Sequence, residues 1–236
     1  MGGRGSAKPT PGLAPPTSSH DPSATLLKHP NETDPMAQTT RTFIAVPMPD
    51  AIGERLGKLQ NRLGPKLPSI RWNEVKPFHL TLAFLGDVPF VDLNPICEAV
   101  ARASRTVRRF ELEVAGLGVF PSPAKPRVLW AGLTGPGLEP LAQLHKAVVD
   151  AVTETGHRPD DARFSPHVTL GRIKPGGGKS LGAELPSILE AHREFSAGIF
   201  TVGEAVAYSS TLTPEGPAYA ALARGPLASA KNRTGP

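Results

Sequence analysis

Hydrophobic and polar residues alternate most strictly in "FHLTLAFLG", residues 78–86. In an extended chain Leu80 and Leu82 fall on one side, and His79 and Thr81 on the other, with Ala83 next on their side. The stretch therefore predicts a strand of period two. Its neighbours are legible in the same way. "RTFIAV" (41–46) predicts a short strand ended by Pro47. Asp50 is placed to cap a helix over 51–64, with Ile52, Leu56, Leu59 and Leu63 near helical spacing. "IRWNEV" is a short extended piece. Asp92 to Arg105 predicts a helix whose apolar stripe is Leu93, Ile96, Ala99 and Val100. "FELEVAGLGVF" (110–120) and "RVLWAGL" (127–133) predict strands joined by the turn "PSPAKP". "GLEPLAQLHKAVVDAVTETG" predicts a helix closed by Gly156, a residue type suited to a helix C-terminus.

The order then recurs. "PHVTLGRI" (166–173) predicts a strand, "GGGKSLGAELPSILEAH" a flexible turn and a helix, and "FSAGIFTVGEAVAYSS" (195–210) and "PAYAALARG" (217–225) further strands. Strand, helix, strand and strand thus follow each His-containing strand. The internal repeat is roughly ninety residues long, and such a duplication implies two similar α+β lobes facing one another across a groove.

Composition narrows the picture at the ends of the chain. Of 27 prolines in 236 residues, seven fall within the first 35, among Gly, Ser, Thr and charged residues. That segment has no aromatic residue and too little apolar surface to offset the entropy of ordering. Residues 1–38 are read as a disordered extension, 39–225 as the two-lobed domain, and 226–236 as a flexible tail. Met36 opens a normal-looking start, so residues 1–35 can be an extension or a misassigned start. The N-terminus has no continuous apolar core of the kind a secretory signal needs. No run approaches the ~20 apolar residues that span a bilayer. Cys97 is the only cysteine, which excludes an internal disulfide and fits a reducing cytoplasm; it is read as a small buried hydrophobe on a helix. Residues 37–225 carry 21 basic and 18 acidic side chains, a bias that admits an anionic substrate without implying nucleic-acid binding by itself.

The candidate chemistry lies on the two matching strands. His79-Leu80-Thr81-Leu82-Ala83 and His167-Val168-Thr169-Leu170-Gly171 superpose residue for residue. Each puts a His and a Thr on the face opposite the apolar one, followed by a small residue that leaves room for a ligand or a close backbone approach. Either pair alone reads more readily as cross-strand hydrogen bonding on a half-exposed sheet. Both together, at corresponding places in a repeat, point to a site. One neutral imidazole can take a proton from water while an imidazolium gives one to a leaving oxygen, and the hydroxyls can donate to nonbridging oxygens. No nearby His, Cys or Asp adds ligands at metal-site spacing, so neither a metal nor a cofactor is expected.

On these motifs the chain resembles the two-histidine phosphoesterase superfamily. Within it, the chain is most similar to the bacterial and archaeal RNA 2′,3′-cyclic phosphodiesterases, also called 2′-5′ RNA ligase-like (LigT/ThpR-type) proteins. The matching stretches are "RTFIAVPMPD", "RWNEVKPFHLTLAFLGDV", "VFPSPAKPRVLWAGL" and "FSPHVTLGRI". The resemblance implies two antiparallel sheets lining a central cleft, with the helices outside. It implies hydrolysis of RNA 2′,3′-cyclic phosphate ends to 2′-phosphomonoesters, with His79 as proton donor and His167 as proton acceptor. The "KPF" ahead of His79 departs from the more polar link of many relatives. RNA end joining by the same site, or noncatalytic binding of RNA ends or nucleotides, are the alternatives. Substrates would be RNA ends or small cyclic-phosphate nucleotides, and the protein is expected as a cytoplasmic monomer.

Three further residues are candidates for binding. Arg127 could brace the phosphate with paired hydrogen bonds if its strand neighbours the His strands. Phe43 and Phe120 could stack a terminal base, or serve the core. Strand parity points Arg172 away from His167. Trp72 and Trp130 read as packing, and His145 as a surface or edge residue of its helix. "GGGK" (176–179) lacks the spacing of a phosphate-binding loop.

Overall fold

The structure is a computed structural model that describes residues 38–73, 78–159, 163–181, 184–213 and 216–229. They lie in one compact unit, Asp34–Pro236; a second unit, Met1–Thr33, falls outside the described residues. The expected extension and the start at Met36 therefore also lie outside them.

Among the described residues the strands are β1 (Thr39–Pro47), β2 (Ile70–Trp72), β3 (His79–Pro89), β4 (Phe110–Phe120), β5 (Val128–Thr134), β6 (His167–Ile173), β7 (Ser196–Val202), β8 (Glu204–Thr213) and β9 (Gly216–Pro226). The helices are α1 (Asp50–Leu63), α2 (Leu93–Ser104), α3 (Leu138–Glu154), α4 (Gly177–Leu181) and α5 (Leu185–Ala191). The period-3.6 stripes seen in the sequence are the buried faces: Ile52, Leu56, Leu59 and Leu63 on α1, and Ile96, Ala99 and Val100 on α2. Asp50 stands in the first turn of α1 and makes no capping hydrogen bond, so it acts on the exposed backbone N–H dipoles there. Gly156 closes α3 at φ 87°, a left-handed conformation that favours glycine.

The expected α+β, antiparallel architecture is present, and the two sheets expected are the halves of one nine-stranded sheet. The strand order is β7-β4-β5-β6-β3-β1-β8-β9, with β2 added to β6. The two halves, β7-β4-β5-β6 and β3-β1-β8-β9, join through the registered pair Leu80 and Val168. The order is palindromic about that pair. In chain order β1-α1-β3-α2-β4 and β5-α3-β6-α5-β8 repeat one another, with β2 and β7 inserted. The repeat therefore starts one strand and one helix before each His strand. Its last strand crosses over: β4 pairs with β5, and β8 pairs with β1.

A large apolar cluster covers the helix-side face of both halves. It includes Ile44, Leu80, Leu112, Leu129, Val168 and Leu170. Burial of these side chains at roughly 25 cal/mol per Å² supplies the main favourable term for folding. Cys97 is half-buried on α2, and burial pushes its thiol pKa up, away from reactive thiolate.

Two boundaries differ from expectation. The stretch 195–210 is two strands, broken at Gly203. The fold also continues past 225. Leu227 is buried, its N–H donates to the Gly203 carbonyl, and the Ala228 N–H donates to that of Val107. The tail expected at 226 is thus held in the fold through Ala228.

Candidate active site

Because β3 and β6 run antiparallel with Leu80 opposite Val168, the next rungs set His79 beside Thr169 and Thr81 beside His167. Leu80 and Val168 point into the core. All four polar residues are half-buried on the opposite face. The two His-x-Thr pairs thus meet in a single patch at the centre of the sheet, related by the same pseudo-two-fold as the strands.

Both strands depart from strict alternation just after the motif. In β1 against β3, Ala45 opposes Thr81 but Ile44 opposes Ala83, which leaves Leu82 as an extra residue. In β5 against β6, Trp130 opposes Thr169 but Leu129 opposes Gly171, which leaves Leu170 extra. Each is a β-bulge, and each reverses the parity of the residues that follow it; in β3 a second shift, with Leu85 extra, restores the parity from Gly86 onward. Ala83 therefore joins the core with Leu82, instead of sharing the site face with Thr81. Gly171 backs onto β2, where an added Cβ would lie 2.6 Å from Ile70 Cγ2; its smallness serves a close strand approach. Gln60 of α1 stabilises the second bulge by donating from Nε2 to the Leu170 carbonyl at 2.8 Å.

The reversal places Phe84 and Arg172, five residues after each histidine, on the site face. Strict strand parity points Arg172 away; the bulge at Leu170 corrects this. Its charge acts on both His167 and Tyr219. Arg127 is an exposed residue just ahead of β5 and outside the strand. The cation whose charge acts on His167 is Arg172.

Aromatic rings wall each histidine. Phe43 lies 5.0 Å from His79, Tyr219 stands perpendicular to it at 5.2 Å, and Tyr208 lies at 6.5 Å. Phe43 is only 3% exposed and is covered by Tyr208, Tyr219 and His79. It supports the imidazole and has no free face for a base, contrary to its expected stacking role. Phe120 is half-buried and stands edge-on to His167 at 4.9 Å. Trp130, read as packing, does pack, lying over Gly118, but its ring is also 6.3 Å from His167. Tyr208 and Tyr219 had no signal in the sequence, because they reach His79 through the β8–β9 hairpin.

His167 is electrostatically defined. Its Nδ1 lies 2.7 Å from the Ser165 carbonyl. A carbonyl only accepts, so Nδ1 carries the hydrogen and, in the neutral ring, Nε2 keeps its lone pair. Burial pushes the pKa of His167 down; the Arg172 charge adds to this and the Ser165 hydrogen bond opposes it. Burial pushes the Tyr219 hydroxyl up, against the pull of Arg172 and Arg41. Among the described residues no group of three or more His, Cys, Asp or Glu side chains could hold a metal ion, and no helix is long and apolar enough to cross a membrane.

Two like halves, each offering a His-x-Thr pair to one shared face, define a duplicated two-histidine fold. A family model described as LigT like phosphoesterase matches the chain twice, over residues 46–130 and 133–219, with His79 and His167 at nearly the same depth in each match. The chain belongs to the LigT-like phosphoesterase family. It is 34% identical over 196 residues to a Geobacillus stearothermophilus protein named RNA 2′,3′-cyclic phosphodiesterase, covering 82% of this chain and 59% of that one. A protein of the same name from Aeropyrum pernix is 34% identical over 71% of this chain and 92% of its own length. A solved Thermus thermophilus structure aligns with a TM-score of 0.63 and 26% identity, covering 79% of this chain and 97% of that one. The structure of Escherichia coli LigT complexed with 3′-AMP aligns at 0.64 and 24%, covering 80% and 99%, and shares the fold.

Proposed function

We propose that this protein hydrolyses the 2′,3′-cyclic phosphate at RNA ends to a 2′-phosphomonoester, without a metal cofactor. The observation that carries the reading is the register at Leu80 and Val168, which sets two His/Thr pairs around one point. The names of the relatives support the substrate class.

In this reading His167 is the general base. Its Nε2 keeps its lone pair, because Nδ1 donates to the Ser165 carbonyl, and its lowered pKa keeps the ring neutral near pH 7. It removes a proton from water as the oxygen attacks phosphorus in line. His79 protonates the departing 3′ oxygen. Thr81 and Thr169 donate hydrogen bonds to the nonbridging oxygens, and the Arg172 guanidinium offsets the charge that develops there. Phe120, half-buried beside His167, is placed to stack the terminal base. The substrate can equally be a small cyclic-phosphate nucleotide. We place the enzyme in the cytoplasm, in keeping with its single cysteine, and take it to act as a monomer.

The test is to mix the protein with an oligonucleotide ending in a 2′,3′-cyclic phosphate and to read the product by mass. Gain of one water supports hydrolysis. Joined strands would assign the site to 2′-5′ end joining, and an unchanged oligonucleotide would reduce it to binding.

A further inference from the structure

We propose that Phe164 and His145 are positioning residues that hold His167 in its base-competent tautomer, an inference that rests on the hydrolytic reading. The Ser165 carbonyl that receives the His167 Nδ1–H belongs to residues 163–166, which lie in neither helix nor strand. Sheet pairing therefore does not fix that carbonyl. The adjacent Phe164 is fixed: its ring lies flat on the His145 imidazole, centroids 3.9 Å apart and planes within 9°. His145 projects from α3, whose Leu141, Leu144, Val148 and Val152 are fully buried, so the platform is anchored in the core. Phe164 also packs against the core cluster.

The chain of support is short. α3 carries His145, His145 carries Phe164, and the next residue presents its carbonyl to His167. A flat stack of this kind is attractive beyond the area it buries. Burial pushes the pKa of His145 down, so the stacked ring stays neutral. Without the stack the Ser165 carbonyl loses its fixed place, and the imidazole can move its hydrogen to Nε2. That tautomer cannot take a proton from water at the reacting face. Misplacement of a reacting group by about 1 Å can cost on the order of 10²-fold in rate.

The experiment compares F164A, H145A and H145F with the unsubstituted protein, by kinetics on an RNA 2′,3′-cyclic phosphate and by ¹⁵N NMR of the His167 ring. F164A and H145A are expected to lower kcat by about 10- to 100-fold with KM within about twofold. In both, His167 is expected to leave the pure Nδ1–H tautomer. H145F keeps a flat aromatic partner and is expected to retain both rate and tautomer. Folded F164A with an unchanged tautomer, or H145F as impaired as H145A, would overturn the proposal. Where F164A does not fold, the contrast of H145A with H145F decides it by the same two measurements. The NMR measurement needs no substrate, so failure of the wild type to hydrolyse the cyclic phosphate counts against the activity and not against this placement.

Discussion

Leu80 stands directly opposite Val168 at the rung that joins the two half-sheets. Both side chains point into the core, so their neighbours point out, and antiparallel pairing crosses His79 with Thr169 and Thr81 with His167. Side chains directly opposite on antiparallel strands sit about 4.5–5.5 Å apart at Cβ, a span over which imidazoles and hydroxyls can share one phosphate. A core contact thereby sets the geometry of the site.

The rate should depend on pH through His167. The base must be neutral to act, so kcat/KM falls as pH drops through its pKa. Burial and Arg172 hold that pKa below the ordinary 6.5. The acid limb of the rate–pH profile is therefore expected to have its midpoint below 6.5, and R172A, which removes one lowering influence, to move the limb upward. An acid limb above the ordinary histidine value in the wild type would contradict the neutral-base assignment. The same sign governs stability. The unfolded chain binds protons at His145 and His167 more readily than the fold does, so stability is lost as pH falls below about 6.5. Urea midpoints measured from about pH 7 down to about pH 5 should fall, and H145F should reduce the slope.

Arg172 and Arg127 separate by their action on His167. Charge-assisted hydrogen bonds to a phosphate are each worth about 1.5–3 kcal/mol, so R172A is expected to lower kcat/KM by about 10- to 100-fold. R127A is expected to stay within about twofold, since that side chain is exposed ahead of β5 and its charge is not among those that act on His167. Steady-state kinetics of the two variants on one cyclic-phosphate substrate checks this. The reverse ranking would mean that the bulge does not turn Arg172 inward.

Gly118 supports the His167 side from below. A Cβ built there would lie 2.2 Å from the ring carbons of Trp130, and Trp130 packs with Phe120 beside His167. Overpacking of this kind costs typically about 1–3 kcal/mol. G118A is expected to lower the urea midpoint and to reduce turnover, whereas Gly57, with open space around its Cβ position, should accept Ala without penalty. Equal stability of G118A and G57A would sink the packing argument.

The proposed chemistry runs on imidazoles, hydroxyls and one guanidinium, with no carboxylate among them. Excess EDTA is expected to leave the hydrolysis rate unchanged. A rate lost in EDTA and restored by a divalent cation would assign a metal a role in the reaction.

Much of the fold and site was legible in the sequence because it rests on periodicity. The alternation in "FHLTL" and "PHVTL" set the faces of His79, Thr81, His167 and Thr169, and apolar spacing marked the helices that cover the sheet. The bulges were hidden because Leu82-Ala83 and Leu170-Gly171 look like a continuation of the same apolar strands. One extra residue in each then reversed the direction of Phe84 and Arg172. Tyr208 and Tyr219 were hidden for another reason. They approach His79 across strands far apart in the chain, and the crossover of β8 to β1 comes from tertiary packing and from no local pattern. Phe43 lost its expected stacking role in the same way, buried under rings that no local signal brings there.

The most direct measurement of the central claim uses H79A and H167A, each incubated with a 2′,3′-cyclic-phosphate oligonucleotide and followed by mass. General acid–base groups contribute about 10²–10⁴-fold each, so either variant should lose at least about 100-fold in water addition while its circular dichroism and melting temperature stay near wild type. A folded H79A or H167A that adds water at the wild-type rate would contradict the two-histidine site.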